Sequence, residues 1–164
     1  MTTNSIKLKS LKDPTEESDG LRILIARFRP RYLPKSKENW DEWWKELAPS
    51  KPLWKEYIKD KKIDWPEYSR RYEIEIRNNP RAVKALHKLS SQSISRIPKN
   101  IKNDADDHYQ DEQRLLNQDH SLTIFKVVTL LCHCRDEKYC HRSIVKGMVD
   151  NIGRQECLNK IQDN

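Results

Sequence analysis

Residues 130–143 read LLCHCRDEKYCHRS: an apolar run ends in Cys132, His133 and Cys134, and Cys140, His141, Arg142 and Ser143 follow after a short polar stretch. Three of the chain's four cysteines and two of its five histidines fall in ten positions. Thiols, imidazoles and a guanidinium at that density suit four purposes: a zinc site, a phosphatase-type thiolate loop, an anion cradle, or ordinary packing.

The phosphatase loop requires His-Cys, five residues, then Arg. His133-Cys134 starts such a loop, but Cys140 stands where the arginine is needed, Arg142 comes two residues late, and no glycine is present. That motif fails. Cys132, Cys134, Cys140 and His141 supply the right donors for zinc, yet no Cys-x-x-Cys knuckle occurs and neighbouring Cys140 and His141 are expected to point apart; no metal and no cofactor are assigned. An anion site fits better. A helix beginning near Cys140 aims unpaired amides and the positive end of its dipole at that point. Arg142 can grip a carboxylate or phosphate through two hydrogen bonds, and Ser143 can cap the bound anion. A cysteine so placed, beside Arg142 and His141, has its thiolate favoured. The bland reading makes Cys132 a small buried residue and His141 a hydrogen bonder at a helix start.

The elements around the loop follow from periodicity. Residues 122–132, LTIFKVVTLLC, form a near-continuous apolar run that suits a strand covered on both faces, as in a parallel sheet. A helical stripe of Ile144, Val145, Met148, Val149 and Ile152 follows, closed by Gly153. A site at the carboxyl ends of parallel strands is the usual arrangement. Residues 21–28, LRILIARF, read as a second buried strand whose exit brings Arg27, Arg29 and Arg31 toward the same place, and IKLKSL before it alternates like an edge strand. Four helices are predicted between the strands. Their stripes are Trp40, Trp43, Trp44 and Leu47; Leu53, Trp54, Tyr57 and Ile58 behind a Ser50 cap; Trp65, Tyr68, Tyr72 and Ile76 behind Asp64; and Val83, Leu86 and Leu89 behind Asn79-Pro80. From Ser91 to about residue 121 the pattern fails, and the acidic group Asp104, Asp106, Asp107 and His108 reads as a solvated patch.

Composition bounds the function classes. The 164 residues suffice for one domain, and three glycines among them favour helices over tight hairpins. No apolar stretch approaches the ~20 residues that span a bilayer, and the N-terminus lacks the apolar core of a secretory signal, so a cytoplasmic protein with reduced thiols and no membrane partner is expected. The net charge of +7 is uneven: residues 1–102 carry +10 and residues 103–164 carry −3. A basic N-terminal part admits nucleic acid as a partner, with Arg27, Arg29, Arg31, Arg70 and Arg71 on phosphates.

Several segments together resemble one family, the bacterial and archaeal proteins called domain of unknown function 488. GLRILIARFRPRYL is similar to its strand ending in Arg-x-x-Pro-Arg, here Arg27, Pro30 and Arg31. WDEWWKELAPS is similar to its Trp-rich segment closed by Leu-Ala-Pro-Ser, and WPEYSRRYEIEI to its aromatic helix with Arg70, Arg71 and Tyr72. LLCHCRDEKYCHRSIV is similar to its Leu-Leu-Cys…Cys-His-Arg-Ser strand, loop and helix, on Cys132, Cys140, His141, Arg142 and Ser143. Departures are Ala26 in place of a frequent acid, Arg29 for a common Trp and Tyr32 for a common Gly; His133 and Cys134 lie outside the family pattern. The resemblance implies a compact α/β domain and supplies no reaction.

The expectation is therefore a single α/β domain over residues 1–153, a short, mostly parallel sheet flanked by several helices, with an acidic insertion at about 91–121 and a peripheral tail at 154–164. Its expected site binds a small anionic or phosphate-bearing ligand through Arg27, Arg29, Arg31, Arg142 and Ser143. If it is an enzyme, Cys140 or Cys132 is the nucleophile and His141 the proton carrier. The alternatives are a nucleic-acid-binding module and a cysteine loop that is purely structural.

Overall fold

A computed structural model describes residues 5–91, 94–96, 123–125 and 127–162. Four strands, β1 (Ser5–Ser10), β2 (Leu21–Leu24), β3 (Glu42–Trp43) and β6 (Val127–Cys132), form one sheet in the order β1-β6-β2-β3, with every neighbouring pair parallel. β4 (Ile94–Arg96) and β5 (Thr123–Phe125) pair antiparallel as a separate ribbon at the two ends of the expected insertion. The rest of that insertion, including Asp104 to His108, lies outside the described residues.

β6 is the central strand, and its residues Val128 to Leu131 are fully buried, which is why its sequence is apolar without alternation. The helices follow local signals. Ser50 accepts from the Leu53 amide and starts α1 (Lys51–Trp54), which continues as a wider π-type turn to Lys59. Asp64 accepts from the Glu67 amide at the head of α2 (Trp65–Arg77), and Asn79 caps α3 (Pro80–Ser90) with Pro80 at its first position. α4 (His141–Gln162) runs through Gly153, which has no left-handed φ to stop it, so the helix is a turn or more longer than its apolar stripe suggested.

The side chains sort into two clusters. Leu21 and Ile23 from β2, Ile25 just after it, and Val128 and Leu130 from β6 meet Tyr68, Tyr72, Ile76, Leu86, Leu89, Val145 and Val149 from the helices. Leu24, Ala26 and Leu131 point the other way and meet Trp40, Cys132 and Cys140. The fold is thus a compact α/β domain with a helical layer on one face of a small parallel sheet and a smaller cluster holding the cysteine loop on the other. Among the described residues no helix is long and apolar enough to cross a membrane.

One expected helix is absent. The Trp40–Leu47 stripe forms the two-residue strand β3 and a 3-10 turn, Lys45–Leu47. The open edge of β2 explains this: the Asp41 amide donates to the Arg22 carbonyl and the Trp44 amide to the Leu24 carbonyl. Period-two geometry then sends neighbouring Trp43 and Trp44 into opposite clusters, where a helix would have kept them on one side. The β2 strand is also shorter than predicted, leaving the sheet after Leu24.

Gly20 enters β2 with φ 61° and ψ −135°, a region open only to glycine, and a Cβ there would lie 2.1 Å from the Val127 carbonyl oxygen. Because the obstacle is backbone of the central strand, it cannot rotate away. Gly20→Ala is expected to cost about 3 kcal/mol or more, the upper range for an incompatible φ plus a clash, read as a lowered urea midpoint. A loss under about 1 kcal/mol would show that this turn relaxes freely.

Candidate functional site

β6 delivers Cys132 at its last position, the loop 133–140 turns back, and α4 starts at His141. The turn is set locally: the Lys138 amide donates to the Asp136 carboxylate, the Cys140 amide to the Glu137 carbonyl, and Ser143 donates its hydroxyl proton to the Cys140 carbonyl. The result brings three sulfurs together. Cys132 and Cys134 Sγ are 3.8 Å apart, and the donor atoms of Cys132, Cys140 and His141 lie within 4.8 Å of one another. His141 Nδ1 lies 3.8 Å from Cys140 Sγ, while its Nε2 donates to the Ile25 carbonyl at 2.8 Å. A carbonyl only accepts, so Nε2 carries a proton, and Nδ1 is the ring nitrogen that faces the sulfur.

Arg142 is 1% exposed. Its Nε donates to Cys140 Sγ at 3.2 Å and a terminal nitrogen donates to the Cys134 carbonyl at 2.9 Å. Cys140 is itself 1% exposed, whereas Cys134 is half-buried and forms the solvent side of the cluster. Behind the site, rings stack: Tyr57 from the π-type turn on Tyr68 of α2 at 4.3 Å, then Tyr68 on Tyr72, whose edge meets the His141 ring 5.6 Å away. The Tyr72 hydroxyl donates to the Leu47 carbonyl, which anchors this stack to the segment before α1.

Cys140 is held far below the usual thiol range by hydrogen bonds from Cys132 and Cys134, against a burial that opposes ionisation, with the His141 hydrogen bond and charge adding to the lowering. Cys132 is pushed well above that range by its hydrogen bonds with Cys134 and Cys140 and by burial. Cys134 is drawn down by its bond with Cys132, but the Cys140 sulfur and burial outweigh this and leave it at about 11. These directions make Cys140 the thiol that ionises first.

Of the residues expected from sequence, Cys132, Cys140, His141 and Arg142 converge, and Ser143 stands beside them as a helix-start hydrogen bonder to the Cys140 carbonyl. The N-terminal arginines are engaged elsewhere. Arg27 donates to the Pro49 and Ala48 carbonyls at 2.7 and 2.8 Å, Arg29 pairs with Glu38 at 2.7 Å, and Arg31 is exposed. The β2 exit still reaches the loop, but through main chain: the Ile25 carbonyl holds His141, and the Phe28 carbonyl accepts from His133 Nε2 at 3.0 Å. Cys134 was absent from the expected site. Its sequence signal was the alternation that places residues 132 and 134 on one side of an extended chain.

The family model DUF488-N3a, described as the active DUF488-N3 subclade, matches residues 6–97. This match ends before the cysteine loop. The chain is similar to the uncharacterized protein YeaO of Escherichia coli (strain K12), 31% identical over 104 residues that cover 63% of this chain and 90% of that protein. It is also similar to the uncharacterized protein Rv3073c of Mycobacterium tuberculosis (strain H37Rv), 27% identical over 89 residues, or 54% of this chain and 74% of that one. No solved structure matches it.

Proposed function

Starting from a chain that belongs to the DUF488 family, we propose that its function is thiol chemistry on a small anionic substrate, with Cys140 as the nucleophile. One observation carries this reading: the guanidinium of Arg142, almost wholly buried, donates to the Cys140 sulfur. A guanidinium keeps its charge in a protein, and a buried charge is tolerated only beside a counter-charge. The Cys134 carbonyl is neutral, so the sulfur carries the balancing charge. Cys132 and Cys134 are hydrogen-bond donors to that thiolate, and His141 is the proton carrier.

The proposed step forms a bond from Cys140 Sγ to an electrophilic atom of the substrate and breaks the bond to the leaving group, which departs with its electron pair. The proton given up when Cys140 ionises is carried on His141 Nδ1, which faces the sulfur, and passes to the leaving group. Access is from the half-buried Cys134 side. The nucleic-acid reading has less support. Besides Arg27 and Arg29, Arg70 pairs with Glu67 at 2.9 Å and Arg71 with Glu56 at 2.7 Å, so four of its five arginines already have protein partners.

Alkylation tests the proposal. In chelator-treated protein at neutral pH, iodoacetamide is expected to label Cys140 before Cys134, although Cys134 is the more accessible, because a thiolate reacts and a thiol does not. Inorganic phosphate should slow the labelling. Peptide mapping that finds Cys134 labelled first and Cys140 untouched would sink the nucleophile assignment, and indifference to phosphate would remove the anionic substrate from it.

A further inference from the structure

We propose that Cys132, Cys134, Cys140 and His141 bind one soft divalent cation of the zinc type. The inference goes beyond the thiol reading: with metal bound, Cys140 is a ligand and is silenced as a nucleophile.

Distances carry the proposal. Two sulfurs each about 2.3 Å from a tetrahedral zinc lie about 3.8 Å apart, and a sulfur and an imidazole nitrogen lie about 3.6 Å apart. Cys132 and Cys134 Sγ are separated by 3.8 Å, and so are Cys140 Sγ and His141 Nδ1. The donor atoms of Cys132, Cys140 and His141 all lie within 4.8 Å of one another, so contraction by no more than about an ångström places these three on one ion; Cys134, outside that group but 3.8 Å from Cys132, closes in from the open side as the fourth ligand. The objection that adjacent Cys140 and His141 must point apart does not hold. The helix start turns the two side chains to the same side, and the imidazole presents the nitrogen nearer its own backbone.

The surroundings fit a metal as well as the donors do. A histidine ligand ordinarily donates its other ring proton to an acceptor, which fixes the ring and the tautomer. The Ile25 carbonyl performs this service for His141 Nε2. Zinc with three thiolates and one neutral imidazole has a net charge of −1, and the Arg142 guanidinium, donating to Cys140 Sγ, supplies the compensating +1 inside the fold. Cys132, Cys140 and His141 are buried, while half-buried Cys134 leaves a route by which an ion arrives. Soft thiolates favour zinc over magnesium or calcium.

The test titrates zinc, and separately cobalt(II), into the full chelator-treated chain under a thiol-free reductant. One equivalent of zinc is expected to bind, and cobalt is expected to give the intense visible bands of a tetrahedral site with sulfur-to-cobalt charge transfer, bleached by added zinc. Cys132→Ala and His141→Gln should each weaken zinc by at least ~100-fold, beyond the effect of an outer partner, while His133→Asn leaves it unchanged. Zinc that fails to bind, a pale octahedral cobalt spectrum, or affinity indifferent to both ligand variants overturns the proposal. If Cys132→Ala does not fold, the charge-transfer intensity of the unaltered chain still counts the thiolates. The thiol reading is judged apart, by labelling of the metal-free chain: inert Cys140 there ends that reading and leaves the zinc result standing.

Discussion

Replacing Arg142 with methionine is expected to cost about 3–5 kcal/mol of stability at neutral pH, the usual loss when one member of a buried charge pair is removed. Methionine keeps much of the volume, so the loss reports the charge and hydrogen bonds more than a cavity. The variant leaves the Cys140 sulfur without its cation and the Cys134 carbonyl without the donor now at 2.9 Å. Either the thiolate stays and is uncompensated, or it takes up a proton at the expense of the hydrogen bonds from Cys132 and Cys134. The second route also predicts slower labelling of Cys140. The double variant Arg142→Met with Cys140→Ala removes the pair together and should recover a large part of the loss, because two absent charges need no compensation. Urea denaturation of the four proteins in this cycle measures the coupling. Additive losses would mean that Arg142 and the sulfur are neighbours without being a charge pair.

Cap signals were legible because they act over three or four residues: Ser50, Asp64 and Asn79 each accept the amides their positions implied. The central strand was legible because burial on both faces leaves a near-continuous apolar run, interrupted over Val128–Leu131 only by Thr129. The tryptophan segment was not, because its i, i+3, i+4, i+7 spacing satisfies a helix locally while its conformation is decided by the β2 edge some twenty residues earlier. Its indoles reinforce that choice, Trp43 Nε1 donating to the Ala26 carbonyl. The same limit applies to the site. Clustering of cysteines in ten positions announced thiol chemistry, yet the role of the β2 exit was assigned to the Arg27, Arg29 and Arg31 side chains. It is the carbonyls of Ile25 and Phe28 that reach the loop, and backbone groups have no residue type by which a sequence can reveal them.

Asp19→Asn is expected to destabilise the fold by roughly 3 kcal/mol, through a buried charge network that joins β1, β2 and β6. Asp19 is fully buried between β1 and β2. Its carboxylate pairs with Lys9 at 2.7 Å and with Arg22, and accepts the Glu16 amide at 3.1 Å; its backbone carbonyl accepts the Thr129 hydroxyl at 2.7 Å. It therefore ties both outer neighbours of β6 to β6 itself. Burial pushes the Asp19 carboxyl up, but the Lys9 hydrogen bond, the Glu16 amide and the Arg22 charge outweigh it and hold the group below its ordinary 3.8. A depressed folded value means that the carboxylate's contribution is fully present above the unfolded value and is lost as pH falls through the folded one. Wild type and Asn variant should thus differ by a constant amount from pH 7 to about 5, and the gap should close below about pH 4. Urea midpoints measured across that range give the comparison. Two curves that stay parallel down to pH 2 would show that the ionised carboxylate adds nothing and that Asp19 serves only as a hydrogen-bonded spacer beside Gly20.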